Sequence, residues 1–411
     1  MIDERAKFIN SLYLRNLIEA NFPENDVKIK AYSVEQSSEV IANEGTFFMK
    51  RVLIKYTSRN TPDGSVSFIV KINGNPKGSN PRDRDVYEGK IPSITSLLLK
   101  CAGNIKFVPD LISITKEPRE VFIFEDITAN GYHAEYIKTG LNLEQSKISL
   151  QKLAFFHAAS AVALAKDKET FVGYGSGMLT RDSGKFYQDL LKKIVHPSNP
   201  LQIDGVIFDK LKTLSAKIVT KAVEDYTRVT PFRVLNHGDF WTRNIFFKYE
   251  DGSLVDALFV GFQNAVVGSP LIDLLYFLNA AVEYKTLIES RDQLIYAYHE
   301  TLKFVLEKLN YQGHIPTLNE LQVDILKNCA LELTFLLVIA PILRANTNIN
   351  LPRSQEENGI APPSDKEVIE IFSDIKNDVS TLLYSFNDNG RLDWAFSEGK
   401  IKGLIGRFQS I

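Results

Sequence analysis

Apolar and polar positions follow two regimes along this chain. In the opening twenty residues Phe8, Leu12, Leu14, Leu17 and Ile18 fall near one stripe, the spacing of an amphipathic helix. From Gly45 the texture changes. Thr46 to Tyr56 is rich in β-branched and aromatic residues, Pro62-Asp63-Gly64 marks a turn, and Val66 to Ile72 is a second such run. That pattern predicts an antiparallel hairpin. Asn73 to Pro81, dense in Gly, Asn and Pro, reads as a loop. A helix is predicted over 83–100 and a strand over Glu120 to Phe124, so residues up to about 124 read as a mixed, sheet-containing lobe.

Helices dominate the remainder. Asn142 followed by Gln145 has the form of a capping box, opening a helix that runs through Leu153-Ala154-Phe155-Phe156-His157-Ala158-Ala159 to about Ala165. A second hairpin is predicted from Ile245 to Tyr249, a turn at Asp251-Gly252, and Leu254 to Phe262. Pro270 suits the first turn of a helix reaching about Val282. Long helices follow near 290–309 and 319–343, and Leu351 to Asp365, with its prolines, reads as an exposed loop. A sheet lobe joined to a helical lobe is expected to leave a cleft, a favoured place for small ligands.

Composition narrows the class. At 411 residues the chain is expected to form two or three lobes, and 44% hydrophobic residues exclude general disorder. Lys plus Arg is 48 against 50 for Asp plus Glu, so no overall field drives it onto nucleic acid or an anionic membrane. Cys101 and Cys329 alone cannot build a disulfide framework or a four-cysteine zinc site, which fits a reducing compartment. The N-terminus is charged where a signal peptide needs an apolar run. The most apolar later window, Leu331 to Leu343, contains Glu332 and Pro341 and is shorter than the ~20 residues that span a bilayer. A soluble, cytoplasmic protein with a buried helix there is expected; nothing in the sequence sets the oligomeric state.

The stretch His237-Gly238-Asp239-Phe240-Trp241-Thr242-Arg243-Asn244 lies on a loop just before the second hairpin. An Asp followed five residues later by an Asn is the spacing of kinase catalytic loops, where the Asp orients the attacking hydroxyl and the Asn binds magnesium. Hydrolase signatures are absent: there is no Gly-x-Ser-x-Gly elbow and no His-Glu-x-x-His pair.

This stretch, with Phe262-Gln263, Gly268-Ser269-Pro270-Leu271-Ile272-Asp273-Leu274-Leu275-Tyr276, Phe122-Ile123-Phe124-Glu125-Asp126 and Leu153 to Ser160, resembles the ecdysteroid-kinase-like family. That family is a branch of the choline-kinase and aminoglycoside-phosphotransferase-like proteins. The resemblance covers most of the chain. It implies an α+β, bilobal protein-kinase-like fold: a small sheet-containing lobe (1–124), an inter-lobe hinge (125–130) and a larger helical lobe (131–411) carrying the catalytic loop and acceptor pocket. It also implies ATP- and magnesium-dependent phosphorylation of a small hydroxylated, lipophilic acceptor such as a steroid. In that reading Asp239 is the catalytic base, Asn244 a metal ligand and Lys71 the holder of the α- and β-phosphates. Gly45 and Thr46 lie in the phosphate-covering loop, and Glu125, Asp126 and Ile127 lie in the segment whose backbone receives adenine. His237 braces the loop, as does Asp273 from the next helix; His157 reads as a satisfied core histidine and Trp241 as packing or the substrate-side wall.

Two departures stand out. The family reads Asp-Phe-Gln where this chain reads Gly261-Phe262-Gln263, so the main magnesium carboxylate is missing. Loss of that charge is worth several kcal/mol of transition-state stabilisation, about a hundredfold to ten-thousandfold in rate. Asp256 is a poor substitute, about 17 Å away along an extended strand and on the opposite face. The glutamate that should face Lys71 is also displaced: Glu88 is nearby, but the expected register puts Lys90 in its place, where it would repel Lys71. The alternative expectation is a pseudokinase, a nucleotide- or small-ligand-binding protein without turnover.

Overall fold

The computed structural model describes residues 6–36, 47–74, 81–99, 101–116, 119–135, 138, 140–196, 201, 203–345, 351 and 361–396. They divide into two compact units. One gathers Met1–Pro92, Lys106–Glu135 and Arg243–Val260; the other gathers Ser93–Ile105, Tyr136–Thr242 and Gly261–Ile411.

The first unit holds a five-stranded antiparallel sheet of β1 (Lys28–Gln36), β2 (Phe47–Thr57), β3 (Gly64–Asn73), β4 (Leu111–Thr115) and β5 (Val121–Glu125), in the order β1-β2-β3-β5-β4. The predicted hairpin is β2 and β3, with Met49 opposite Lys71 and Val52 opposite Phe68. Side chains alternate across a strand, so one face carries Val52, Ile54, Phe68, Val70, Ile72 and Ile123 into a core with Leu14, Leu17 and Ile18 of the helix Ser11–Asn21. The other face carries Phe47, Met49, Arg51, Ser67, Lys71, Asn73 and Phe122. Leu12, expected on the buried stripe, is 66% exposed, because the buried face centres on Leu14, Leu17 and Ile18.

The predicted helix over 83–100 is a composite of Pro81–Asp85, a π turn Val86–Lys90 and Ile91–Leu98. Pro92 has no N–H for the usual bond to the carbonyl of residue 88. The Ile91 N–H bonds instead to Val86 O, five residues back, and the turn widens. A second, three-stranded sheet joins β6 (Tyr132–Ala134) to the hairpin Ile245–Glu250 and Ser253–Phe259. Asp251 (φ 49) and Gly252 (φ 79) are both left-handed, as a two-residue hairpin turn requires. The second hairpin strand stops at Phe259, short of the expected Phe262, since Gly261 turns left-handed (φ 85, ψ 56).

The second unit is mostly helical. Asn142 and Gln145 form the predicted capping box on the helix Leu143–Lys166, which packs along the helix Tyr284–Lys308. A short antiparallel pair, Val234–Asn236 with Val266–Gly268, flanks the loop at 237–244. The helix after Pro270, Leu271–Ala280, is buried throughout. The single helix expected over 319–343 is broken at Asn328: Leu318–Lys327 and Cys329–Arg344 meet at 61°. Of the expected loop Leu351 to Asp365, residues 352–360 lie outside the described residues, and Ser364 caps a helix Asp365–Phe372. Among the described residues one helix, Leu143–Lys166, is long and apolar enough to cross a membrane, and 78% of its most apolar window is buried inside the protein.

Candidate active site

In the second unit the loop after Val234–Asn236 is fastened to the helix Leu271–Ala280 by one carboxylate. Asp273 Oδ2 accepts from the His237 N–H at 2.6 Å, and Oδ1 from the Gly238 N–H at 2.8 Å. The position of Asp273 in the first helical turn also suits a negative charge. Its Oδ2 also meets His157 Nε2 at 3.1 Å, and His157 Nδ1 meets the Tyr298 hydroxyl at 2.7 Å. Burial, reinforced by the charge of Asp273, pushes the Tyr298 hydroxyl well above its ordinary range. Tyr298 therefore donates, Nδ1 accepts, and Nε2–H donates to Asp273: the two contacts assign the tautomer. All four side chains of His157, His237, Asp273 and Tyr298 are buried.

Gly238 is required at the centre of this loop. Its φ is +79, and a Cβ there would lie 1.9 Å from the Asn264 carbonyl oxygen. His237 Nδ1 accepts from the Asp239 N–H at 3.3 Å, and the His237 ring packs 4.3 Å from Phe262. The loop so held presents Asp239, which is fully buried, and the Tyr276 hydroxyl donates to Asp239 Oδ1 at 2.7 Å. Trp241 is buried. Tyr276 sits in an apolar helical run, and its sequence position gave no signal of this bond.

In the first unit Lys71 lies on the sheet face opposite the core. Its Nζ is 2.6 Å from Asp83 Oδ2, and Asp83 is wholly buried. The partner of Lys71 is therefore neither Glu88, which is exposed, nor a repelling Lys90; Lys90 Nζ pairs with Asp85 at 2.8 Å. The π turn explains the difference: its extra residue rotates everything after it relative to Asp83, so a register counted on regular helix misaligns the two. Lys71 Nζ also stands over the Phe47 ring, 4.1 Å from its centroid, with the Phe122 centroid at 5.8 Å.

Asp126 is buried and committed to its own segment. It accepts from Ser67 Oγ at 2.6 Å and from the Thr128 N–H at 3.1 Å, and pairs with Arg51 Nε at 2.9 Å. Burial alone would raise its pKa, but the Ser67 and Thr128 hydroxyls, Arg51 and the Thr128 N–H hold it below the ordinary value. Its side chain caps the short helix Ile127–Asn130, in which Ile127 is buried. Glu125 pairs with Lys106 at 2.5 Å. Asn244 ends the turn Thr242–Asn244, its carbonyl accepting from the Val260 N–H at 3.0 Å. Asp256 accepts from the Tyr132 hydroxyl at 2.7 Å. Gly261 contributes no side chain, and among the described residues no group of three His, Cys, Asp or Glu could hold a metal ion. Gly45 and Thr46 lie outside the described residues.

A five-stranded antiparallel sheet in one unit and a mostly helical second unit give the chain an α+β architecture. A profile described as the ecdysteroid kinase-like family matches residues 46–311, well over half of the chain. The chain belongs to that family.

Comparison with solved structures finds similarity to an ethanolamine kinase of Plasmodium vivax (15% identity, 94% of this chain and 89% of that one, TM-score 0.42). It also finds a choline kinase of Cryptosporidium parvum Iowa II (14% identity, 94% and 100%, TM-score 0.43). A third is the AMP-bound spectinomycin phosphotransferase APH(9)-Ia (11% identity, 95% and 100%, TM-score 0.44). No curated protein matches the chain.

Proposed function

We propose that this chain is an ATP-dependent O-phosphotransferase acting on a small hydroxylated, lipophilic acceptor such as a steroid. The observation that carries the reading is Asp239, a buried carboxylate with one oxygen fixed by Tyr276, on a loop whose backbone is fastened to Asp273. The acceptor O–H gives its proton to Asp239 as its oxygen bonds to the γ-phosphorus; the bond from that phosphorus to the β,γ-bridging oxygen breaks and ADP leaves. Phosphoryl transfer of this kind rests on positioning and charge stabilisation, and a preset carboxylate supplies the positioning. In this reading residues 1–124 cover the nucleotide, with Gly45, Thr46 and Lys71 on the side of its phosphates. The backbone of 124–127 meets adenine, and 131–411 carries the catalytic loop and acceptor pocket. A cytoplasmic setting belongs to the same proposal, with Cys101 and Cys329 both free thiols.

The described residues do not make a magnesium site of their own. Asn244 offers one neutral amide and Gly261 no carboxylate, whereas magnesium favours charged oxygen donors in octahedral geometry. No step is assigned to a protein-held metal; magnesium enters as the counter-ion of the ATP substrate. This same observation favours a second reading, a pseudokinase that binds nucleotide or a small ligand without turnover.

Transfer of labelled γ-phosphate to a panel of hydroxylated lipids, with magnesium and with manganese, separates the two. Slow transfer that falls at least a hundredfold in Asp239→Asn supports the kinase reading. Full turnover in that variant removes Asp239 from the base role, and nucleotide binding without transfer to any acceptor leaves the pseudokinase. Gly261→Asp is expected to tighten magnesium-ATP binding. The left-handed backbone there sets a stability cost of about 1 kcal/mol, and this chain already holds Asp26 and Asp251 at φ 57 and 49. Unchanged magnesium-ATP affinity in Gly261→Asp refutes the account of position 261.

A further inference from the structure

We infer that Phe47 is a plug on Lys71, a specificity-determining residue that withholds the lysine ammonium from the phosphates of a nucleotide; this rests on the nucleotide reading of Lys71 above. Phe47 opens β2 opposite Asn73, with Met49 opposite Lys71. Phe47 is therefore the diagonal cross-strand neighbour of Lys71 on the same sheet face, within reach of an aromatic side chain. Its ring centroid is 4.1 Å from Lys71 Nζ, Asp83 Oδ2 is 2.6 Å away, and the Phe122 centroid is at 5.8 Å.

The ammonium is thus enclosed by one carboxylate and two rings, and both Phe47 and Lys71 are only 9% exposed. The face of a phenyl ring carries partial negative charge, which attracts a cation and repels an anion. A phosphate approaching Lys71 must displace Phe47 and give up that cation–ring contact. A nucleoside that touches the unit only through its base and ribose has no such requirement. The plug therefore acts on phosphate-dependent affinity and leaves nucleoside affinity alone.

The test compares adenosine, ADP and magnesium-ATP by isothermal titration on the full chain, with Phe47→Ser, Phe47→Leu, Lys71→Met and the double variant Phe47→Ser/Lys71→Met. Phe47→Leu keeps apolar volume while removing the ring, so the answer does not depend on the serine variant folding. Phe47→Ser is expected to tighten ATP about tenfold, equivalent to 1.4 kcal/mol, with adenosine unchanged. Phe47→Leu is expected to give part of that gain. Lys71→Met should change ATP affinity less than threefold in the wild type and erase the gain in the double variant.

The inference is overturned if wild-type ATP affinity already depends on Lys71 and neither Phe47 variant alters it, an outcome that leaves the kinase reading standing. Wild type that binds no ATP beside Phe47→Ser that binds it through Lys71 supports the inference and points to the pseudokinase. No ATP binding in wild type or in either Phe47 variant overturns both readings.

Discussion

Asp273 is the residue on which the loop carrying Asp239 depends, and its removal has a calculable effect. Asp273→Ala withdraws a charged acceptor from two buried backbone donors, His237 N–H and Gly238 N–H, and from His157 Nε2. A hydrogen bond to a charged group contributes about 1.5–3 kcal/mol net, and a buried donor left alone costs about 1–3 kcal/mol. The three contacts share one carboxylate and do not add, so the expected loss is about 3–5 kcal/mol. Asp273→Asn keeps one acceptor oxygen but turns an amide N–H toward a backbone donor, and about 2–4 kcal/mol is expected.

Native-state hydrogen exchange reads the loop directly: protection at the His237 and Gly238 amides should fall about thirtyfold to seven-hundredfold in Asp273→Asn, at about 1.4 kcal/mol per tenfold. Tyr298→Phe, which removes only the hydroxyl at the far end of the His157 bridge, should cost about 1 kcal/mol and reduce the effect of Asp273→Asn made in the same chain. A loss under about 1 kcal/mol with amide protection intact would refute the role given to this carboxylate.

Three further outcomes are expected. Asp83→Ala leaves the Lys71 ammonium buried without its carboxylate and should cost about 3–5 kcal/mol in urea unfolding, whereas Lys71→Met/Asp83→Leu together should cost far less than the sum of the single changes; strict additivity would rule out the pair. The folded-state value of Asp126 lies below its ordinary 3.8, so its contribution is fully present above that pH and disappears as pH falls through the lower folded value. Wild type should therefore lose more thermal stability than Asp126→Asn between pH 5 and about 2.5, and parallel losses would contradict this. Burial, reinforced by the charge of Glu332, pushes the Cys329 thiol up to about 12, so only Cys101 should react with a disulfide reagent at neutral pH until the chain is unfolded. Two equivalents released within minutes from the folded chain would contradict it.

Local chemistry made much of this fold readable. The Asn142 and Gln145 cap, the Asp251-Gly252 turn and the helix after Pro270 are each decided by a few adjacent residues. β1 escaped because its residues Lys28–Gln36 show no apolar alternation: every one of them is exposed or half-buried at the edge of the sheet. β4, half-buried along its whole length, gave an equally weak pattern. The His237 to Asn244 loop could be found as a motif, and Gly261 was visible as an unusual residue. The partners of the site were not. Asp83 depends on an extra residue in a π turn, which no regular helical count contains. Tyr276 and Phe47 belong to apolar runs, and only tertiary packing turns one toward Asp239 and lays the other over Lys71.

The sheet-bearing unit is discontinuous, and this has a consequence for biosynthesis. β6 pairs with the hairpin strand Ile245–Glu250, Tyr132 opposite Lys248, yet residues 136–242 are made between them. At roughly 5–20 residues per second the ribosome needs about 5–20 seconds to cross that interval. Until then the nascent N-terminal segment carries an unpaired strand edge, and a fragment ending near residue 135 would remain in that unfinished state however long it was incubated.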